Sequence, residues 1–342
     1  MKNNSSTFTD LSRNIGWVVR KYAPLLILLG LIILFTIISP NFMTFNNIRL
    51  LLRQVSFVAI TAVGLMFVMV SGGIDLSVGS QIILTNICLA LMISGNLPYQ
   101  INPIVAILIC IAMGTTLGMV NGLLSNMLKI HPLIITLGTA MIYRGLGYII
   151  AGGRNIGGLP DSFRIYGQGY VGLVPVPVII MVIVALIGAF VLQKMYFGRY
   201  VFAMGGNQES ARLAGLNVNR MKVTVFAICG FASGITSVLL LSRVFNGQVT
   251  TGAGIEFDAL TAALLGGISF IGGEGSVFGL MTGVLIIGVL NNGMQLFGLQ
   301  DFYQLVVKGV VLLAAVGFDT YQKSRKAKET VEKIAVASEL SM

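Results

Sequence analysis

An all-α integral membrane protein with about ten transmembrane helices is predicted by three features of this sequence. Of its 342 residues, 56% are hydrophobic and only 10% are charged, and the mean hydropathy is +0.90; a soluble domain carries about 25% charge. Apolar stretches recur along the whole chain, and about 20 residues are needed for each helix that crosses a bilayer. Basic residues gather in the N-terminal tail, one central loop and the C-terminal tail, which is the distribution the positive-inside rule produces. The formal net charge of +10 therefore reports topology, and the clustering argues against nucleic acid as a partner, which would need a basic stripe on one folded surface.

In chain order, the expected spans are 24–40, 55–71, 78–94, 104–124, 133–151, 177–194, 222–242, 257–270, 276–293 and 302–320. They divide the chain into an N-terminal cytosolic tail over 1–22, a transmembrane domain over 23–320 with a charged loop at 195–221, and a C-terminal cytosolic tail over 321–342. The first tail carries Lys2, Arg13, Arg20 and Lys21, and the apolar run after it ends in Ser39-Pro40 with no small-residue cleavage site, so an uncleaved tail is expected. Ten crossings with the N-terminus inside place both the central loop and the cluster Lys323, Arg325, Lys326 and Lys328 in the cytosol, so parity and charge agree. Arg49 and Arg53 oppose this trend. The segment NFMTFNNIRLLLRQ that holds them reads as an amphipathic interfacial helix with snorkelling arginines.

Glycine and weak internal similarity shape the spans. Gly114, Gly118 and Gly122 recur every fourth residue and make one flat helix face suited to close packing. Phe57–Leu65 (FVAITAVGL) and Phe257–Leu265 (FDALTAALL) share five of nine positions, and each is followed by Gly-Gly-Ile. A parallel repeat and coincidence in low-complexity sequence both account for this.

Polar residues inside or beside the spans are the functional candidates. In SGGIDLSVGS, Ser71 to Ser80, two glycines allow a tight turn, and Asp75 or Ser77 can accept hydrogen bonds from the free N–H groups that open the next helix. A structural cap and a part in gating or subunit contact are both open for this pair. Arg144 is the one basic residue clearly within a span; a charge there faces a water-filled cavity or snorkels to the interface. Asn86, Asn121, Asn291, Asn292 and Gln295 either line a weakly interacting path with Arg144 or bond between helices. Lys129-Ile130-His131-Pro132 is a turn or part of an inner gate, and GGISFIGGEGS, with Glu274, is a gate element or a broken-helix turn.

The central loop, Lys194 to Lys222, holds Lys194, Arg199, Arg212, Arg220 and Lys222 against the single acid Glu209. Gly205-Gly206-Asn207 should break the chain, Gln208–Leu213 should form a short helix, and Gly215 should close it in the left-handed conformation. No cluster supports chemistry. There is no glycine-rich phosphate loop ending in Lys-Ser or Lys-Thr, no paired membrane acids and no nucleophile with a base. One histidine, and cysteines 88, 110 and 229 without paired spacing, make no metal site. No catalytic residue, metal or cofactor is expected.

Three of these segments, GGIDLSVGS, FGRYVFAMGGNQESARLAGLNV and GAGIEFDALTAALLGGISFIGGEGSVFG, taken in order, resemble the permease subunits of bacterial ATP-binding-cassette importers for ribose, xylose, arabinose, galactosides and related compounds. The resemblance covers roughly residues 24 to 320. Branched-chain amino acid permeases belong to the same wider group, and IDLSVGS favours the carbohydrate branch. The resemblance implies a fold like the cobalamin-importer (type II) permease, paired as a dimer, a homodimer by expectation. It implies a cytosolic ATPase that hydrolyses ATP and an extracytoplasmic sugar-binding protein. It also places the ATPase contact on Gly205, Gly206, Asn207, Glu209, Ala211, Arg212 and Gly215, and it sets the protein in the bacterial inner membrane with both termini cytoplasmic. The expected function is import of a monosaccharide such as ribose. The rivals are a permease for amino acids or nucleosides of the same superfamily, and an ion-coupled secondary transporter.

Overall fold

The computed structural model describes residues 23–95 and 101–340; the expected tail over 1–22 lies outside them. The described chain is mostly helical. Its helices are α1 (Ala23–Ile38), α2 (Phe45–Val70), α3 (Val78–Ile93), α4 (Pro103–Leu128) and α5 (Pro132–Ala151), then the short α6 (Ile165–Gln168). They continue with α7 (Val176–Lys194), α8 (Tyr196–Gly206), α9 (Gln208–Leu213), α10 (Val218–Val244), α11 (Ile255–Leu265), α12 (Val277–Leu296) and α13 (Asp301–Leu340). A two-stranded hairpin, β1 (Tyr170–Val171) and β2 (Val174–Pro175), precedes α7. Seven helices (α2, α4, α5, α7, α10, α12 and the first part of α13) are long and apolar enough to cross a membrane. Helices α1, α3 and α11 are apolar but shorter.

Lipid and protein interior are equally oily, so the arrangement is set by small and polar residues rather than by an apolar stripe. Helix α2 is the hub, 83% buried over its most apolar stretch, against 12% for α13. It packs on α7, α10, α11 and α12. Helix α10 in turn lies against α4 through the expected glycine face: a Cβ on Gly114 or Gly118 would run into the carbonyl of Gly230 or Phe226. Gly230 and Gly234 answer from α10, so the two backbones touch. Thr61 and Thr236 hydroxyls, 3.0 Å apart, tie α2 to α10, and Asn47 and Asn292 exchange two amide hydrogen bonds of 2.8 Å between α2 and α12.

The segment expected to be a separate interfacial helix is instead the opening of α2, which runs unbroken from Phe45. Nothing in FNNIRLLLRQ stops a helix, and the arginines have protein partners. Arg49 Nε donates to the Leu173 carbonyl at 3.2 Å, and Arg53, 7% exposed, donates to the Gln168 carbonyl at 3.3 Å. Both guanidinium groups lie over the Tyr170 ring, at 5.1 and 4.8 Å. The hairpin and the turns before it thus form a plate over one end of the bundle, anchored by fully buried Phe163. The opposite end carries α8 and α9 with their basic residues, and is called the basic face below.

Candidate functional site

The basic face is organised by three irregular segments that meet. After α2, the turn containing Gly72 touches the turn after α11, where a Cβ on Gly272 would strike Gly72. Gly273 N donates to the Val70 carbonyl at 2.9 Å. Gly205, in the last turn of α8, sits on the same spot: a side chain there would land on the Val70 carbonyl oxygen and on Gly273. The expected break at Gly205-Gly206-Asn207 is met at Asn207 alone. Helix α8 continues through Gly206, and the glycine is needed because three backbones converge.

The break falls at Asn207, whose side chain accepts from Ser210 N at 2.8 Å and so caps α9. Helix α9 is Gln208–Leu213, and Gly215, at φ +87°, ends it with Leu216 N bonded to the Ala211 carbonyl. Ala211 is buried against the bundle. Glu209 and Arg212 point outward as an exposed ion pair at 3.4 Å, beside Leu213, which is 82% exposed. Next to α9 opens a cleft of about 690 Å³ lined by Lys129, His131, Arg212 and Lys222 with amide and apolar neighbours and no acid. His131 Nδ1 accepts from Leu133 N and caps α5, so Lys129–Pro132 is a turn and also one wall of this cleft. Glu274 is exposed in the turn after α11, and Ser276 supplies the cap of α12 in its place.

Deeper in the bundle, Asp75 is fully buried. One carboxylate oxygen accepts from Ser77 N at 2.9 Å and Ser77 Oγ at 2.6 Å, and the other accepts from Gln81 Nε2 at 3.2 Å and Asn121 Nδ2 at 3.5 Å. Asn121 also donates to Ser77 Oγ at 2.7 Å and accepts from the Tyr143 hydroxyl at 3.1 Å. Thr136 bonds the backbone on both sides of Asp75. The turn is thereby tied to α3, α4 and α5. Asn86 Nδ2 likewise bonds between helices, to the Ser237 carbonyl at 3.3 Å, while its Oδ1 is buried without a partner, and Asn292 bonds Asn47.

The remaining path candidates lie elsewhere. Arg144 is exposed on α5. Asn291 and Gln295 line a cavity of about 230 Å³ enclosed by α2, α10, α11, α12 and α13. Its polar wall is completed by Gln54, Asp258, Gln304 and Lys308. Lys308 Nζ meets Asp258 Oδ2 at 2.9 Å in a largely buried ion pair, and Asn291 Nδ2 leans on the same oxygen at 3.4 Å. Asn291 Oδ1 is buried without a partner.

Arg144 is therefore not the one basic residue within a span: Lys308 stands in α13. Asp258 and Lys308 are functional candidates missed by reading the sequence alone, although a single charge in FDALTAALL and another in VVKGVV are the available signal. A third missed residue is Glu256. Its carboxylate presses on Gly79 of α3, and Oε2 is buried without a partner. Among the described residues, no group of three or more His, Cys, Asp or Glu comes together to hold a metal.

Residues 47–316 match the family model described as branched-chain amino acid transport system / permease component. The chain is 42% identical over 304 residues to the ribose import permease protein of Bacillus subtilis, covering 88% of this chain and 93% of that one. It is 39% identical over 331 residues to the ribose import permease protein of Haemophilus influenzae, covering 95% and 99%. To the L-arabinose transport system permease protein of Escherichia coli K12 it is 38% identical over 324 residues, covering 94% and 96%. No solved structure matches the chain.

Proposed function

The chain belongs to the family of permease components described for branched-chain amino acid transport systems, and from that premise we propose that it is the transmembrane permease subunit of an ATP-driven importer for a monosaccharide, ribose or a related sugar. It acts as a transport component and hydrolyses nothing itself. What carries this reading is the convergence at the basic face: the turn after α2, the end of α8 and the turn after α11 lock together through Gly72, Gly205 and Gly273 beside the exposed α9. Helix α8, locked by Gly205 to the end of α2 and the turn after α11, leads directly into α9, exposed at Glu209, Arg212 and Leu213, so a push on α9 passes through α8 to α2 and α11.

In this proposal ten crossings are made in the manner of the cobalamin-importer (type II) permease, with α1, α3 and α11 as the short ones and both termini in the cytosol. A cytosolic ATPase docks on 195–221, and the basic cleft with Lys129, His131, Arg212 and Lys222 receives acidic side chains of that partner. A sugar-binding protein docks on the plate that covers the other end. Two copies of the chain pair in the membrane, with exposed Arg144 beside the path and Asp75 as the anchor that keeps the turn after α2 in register. An amino acid permease is the second reading, favoured by the description of the family model; IDLSVGS and the ribose, allose and arabinose permeases among the relatives favour sugar.

Vesicles reconstituted with the permease, its ATPase and the binding protein are expected to take up radiolabelled ribose only when ATP is enclosed with the ATPase. Uptake without ATP, or ATP-dependent uptake of leucine in place of sugar, would overturn the proposal.

A further inference from the structure

We infer that the cavity among α2, α10, α11, α12 and α13 is a binding subsite for a neutral polyhydroxylated ligand, a single pentose or hexose, held within one copy of the chain. The inference rests on the permease reading above and adds a place and a chemistry to it. At about 230 Å³ the cavity falls below the ~300–1,000 Å³ of pockets for drug-sized ligands, so it suits one small ring.

The lining selects for hydroxyl groups. Amide side chains come from three helices: Gln54 from α2, Asn291 and Gln295 from α12, and Gln304 from α13. Each amide offers both a donor and an acceptor, the complement of a hydroxyl, which does the same. They are only partly engaged: Gln54 Nε2 donates to Gln295 Oε1 at a long 3.3 Å, Gln304 Nε2 donates to the Leu299 carbonyl at 2.8 Å, and Asn291 Oδ1 has no partner although it is buried. An orphaned acceptor of this kind is costly in a core, and a ligand hydroxyl removes that cost. The rest of the wall, Val55, Leu240 and Val284 among it, is apolar and meets the C–H face of a sugar ring.

Charge selects against the rival ligand. Asp258 and Lys308 neutralise each other at 2.9 Å, so the cavity presents a dipole and no free charge. An amino acid would meet two groups that already neutralise each other, so its ammonium and carboxylate would gain little there for the hydration they give up, whereas a neutral ligand gives up no ionic hydration. A neutral ligand leaves the pair intact and accepts from Lys308 or donates to Asp258 at their unused positions. Binding is weak, since a conduit has to release what it holds.

Ribose titrated against the full chain in nanodiscs and followed by saturation-transfer NMR tests this, with leucine as the comparison. The expected result is saturable ribose contact near 1 mM, on the order of −4 kcal/mol, and none for leucine. Asn291→Leu should weaken it about tenfold. Gln295→Ala, whose site is at the exposed mouth and spares the fold, should weaken it about threefold. Absence of ribose contact at tens of millimolar, contact unchanged in both variants, or preference for leucine overturns the subsite. Uptake by the assembled importer is scored separately: intact ATP-dependent ribose import with no contact in the chain alone removes only the subsite, whereas absence of import removes the permease reading itself.

Discussion

Asp75 and Asp258 both lie inside this bundle, and they are handled in opposite ways. Asp75 is closed in. Its two oxygens accept from Ser77, Gln81 and Asn121, the next shell reaches Tyr143 and Thr136, and no cation is involved. Asp258 is balanced by Lys308 from a helix that hardly touches the core, and it faces a cavity whose amides are only partly engaged. The first arrangement fixes a turn. The second holds polar groups available at membrane depth, where unengaged polar atoms are costly and are kept for a task.

The largest effect expected from breaking this contrast is in Asp75→Ala. Removing the carboxylate leaves donors on Ser77, Gln81 and Asn121 unpaired in a dry core, for a loss of about 3 kcal/mol or more. The unfolding midpoint of the purified chain in detergent reads this directly, and an unchanged midpoint would mean that the closed cluster is not what holds the turn. Lys308→Met should come next, at about 3 kcal/mol, because it strands a buried Asp258. Adding Asp258→Leu to it should recover most of that loss, since a buried pair is replaceable by apolar groups once neither charge is left alone. Recovery of stability with continued loss of ribose uptake would separate the open cluster's function from its packing; recovery of both would make the pair merely structural.

The smallest effect on stability lies at the basic face, where Glu209 and Arg212 are exposed. Glu209→Ala or Arg212→Ala should change stability by less than about 0.5 kcal/mol. The same variants should nevertheless weaken association with the ATPase or uncouple uptake from ATP hydrolysis. Normal co-purification together with normal uptake would remove the coupling role proposed for α9.

Much of α9 was legible in the chain itself. A break ending at Asn207, Gln208–Leu213 as helix and Gly215 as the left-handed stop are local rules written in neighbouring residues, and the structure has all three. The glycine face of α4 was legible for the same reason, though its partner on α10 was not. Gly205 was misread because a glycine required by a close backbone contact looks, in sequence, the same as a glycine that breaks a helix. The start of α2 was misread because arginines in an oily segment suggest an interface, and only the end of α6 and the hairpin, more than a hundred residues away, supply the carbonyls and the ring that hold them.

The sequence by itself determined that this is a membrane protein, where its apolar stretches lie, and which segments are basic. Those properties sum over neighbouring residues and do not depend on the partners a helix finds. The tertiary structure alone decided which polar side chains are spent and which remain available. Asn47 with Asn292, Asp75 with Asn121 and Asp258 with Lys308 meet across long sequence separations. In an oily surrounding the apolar pattern looks alike on every face of a helix, so nothing local marks which face turns inward, and the closed and the open carboxylate are told apart only once the helices are packed.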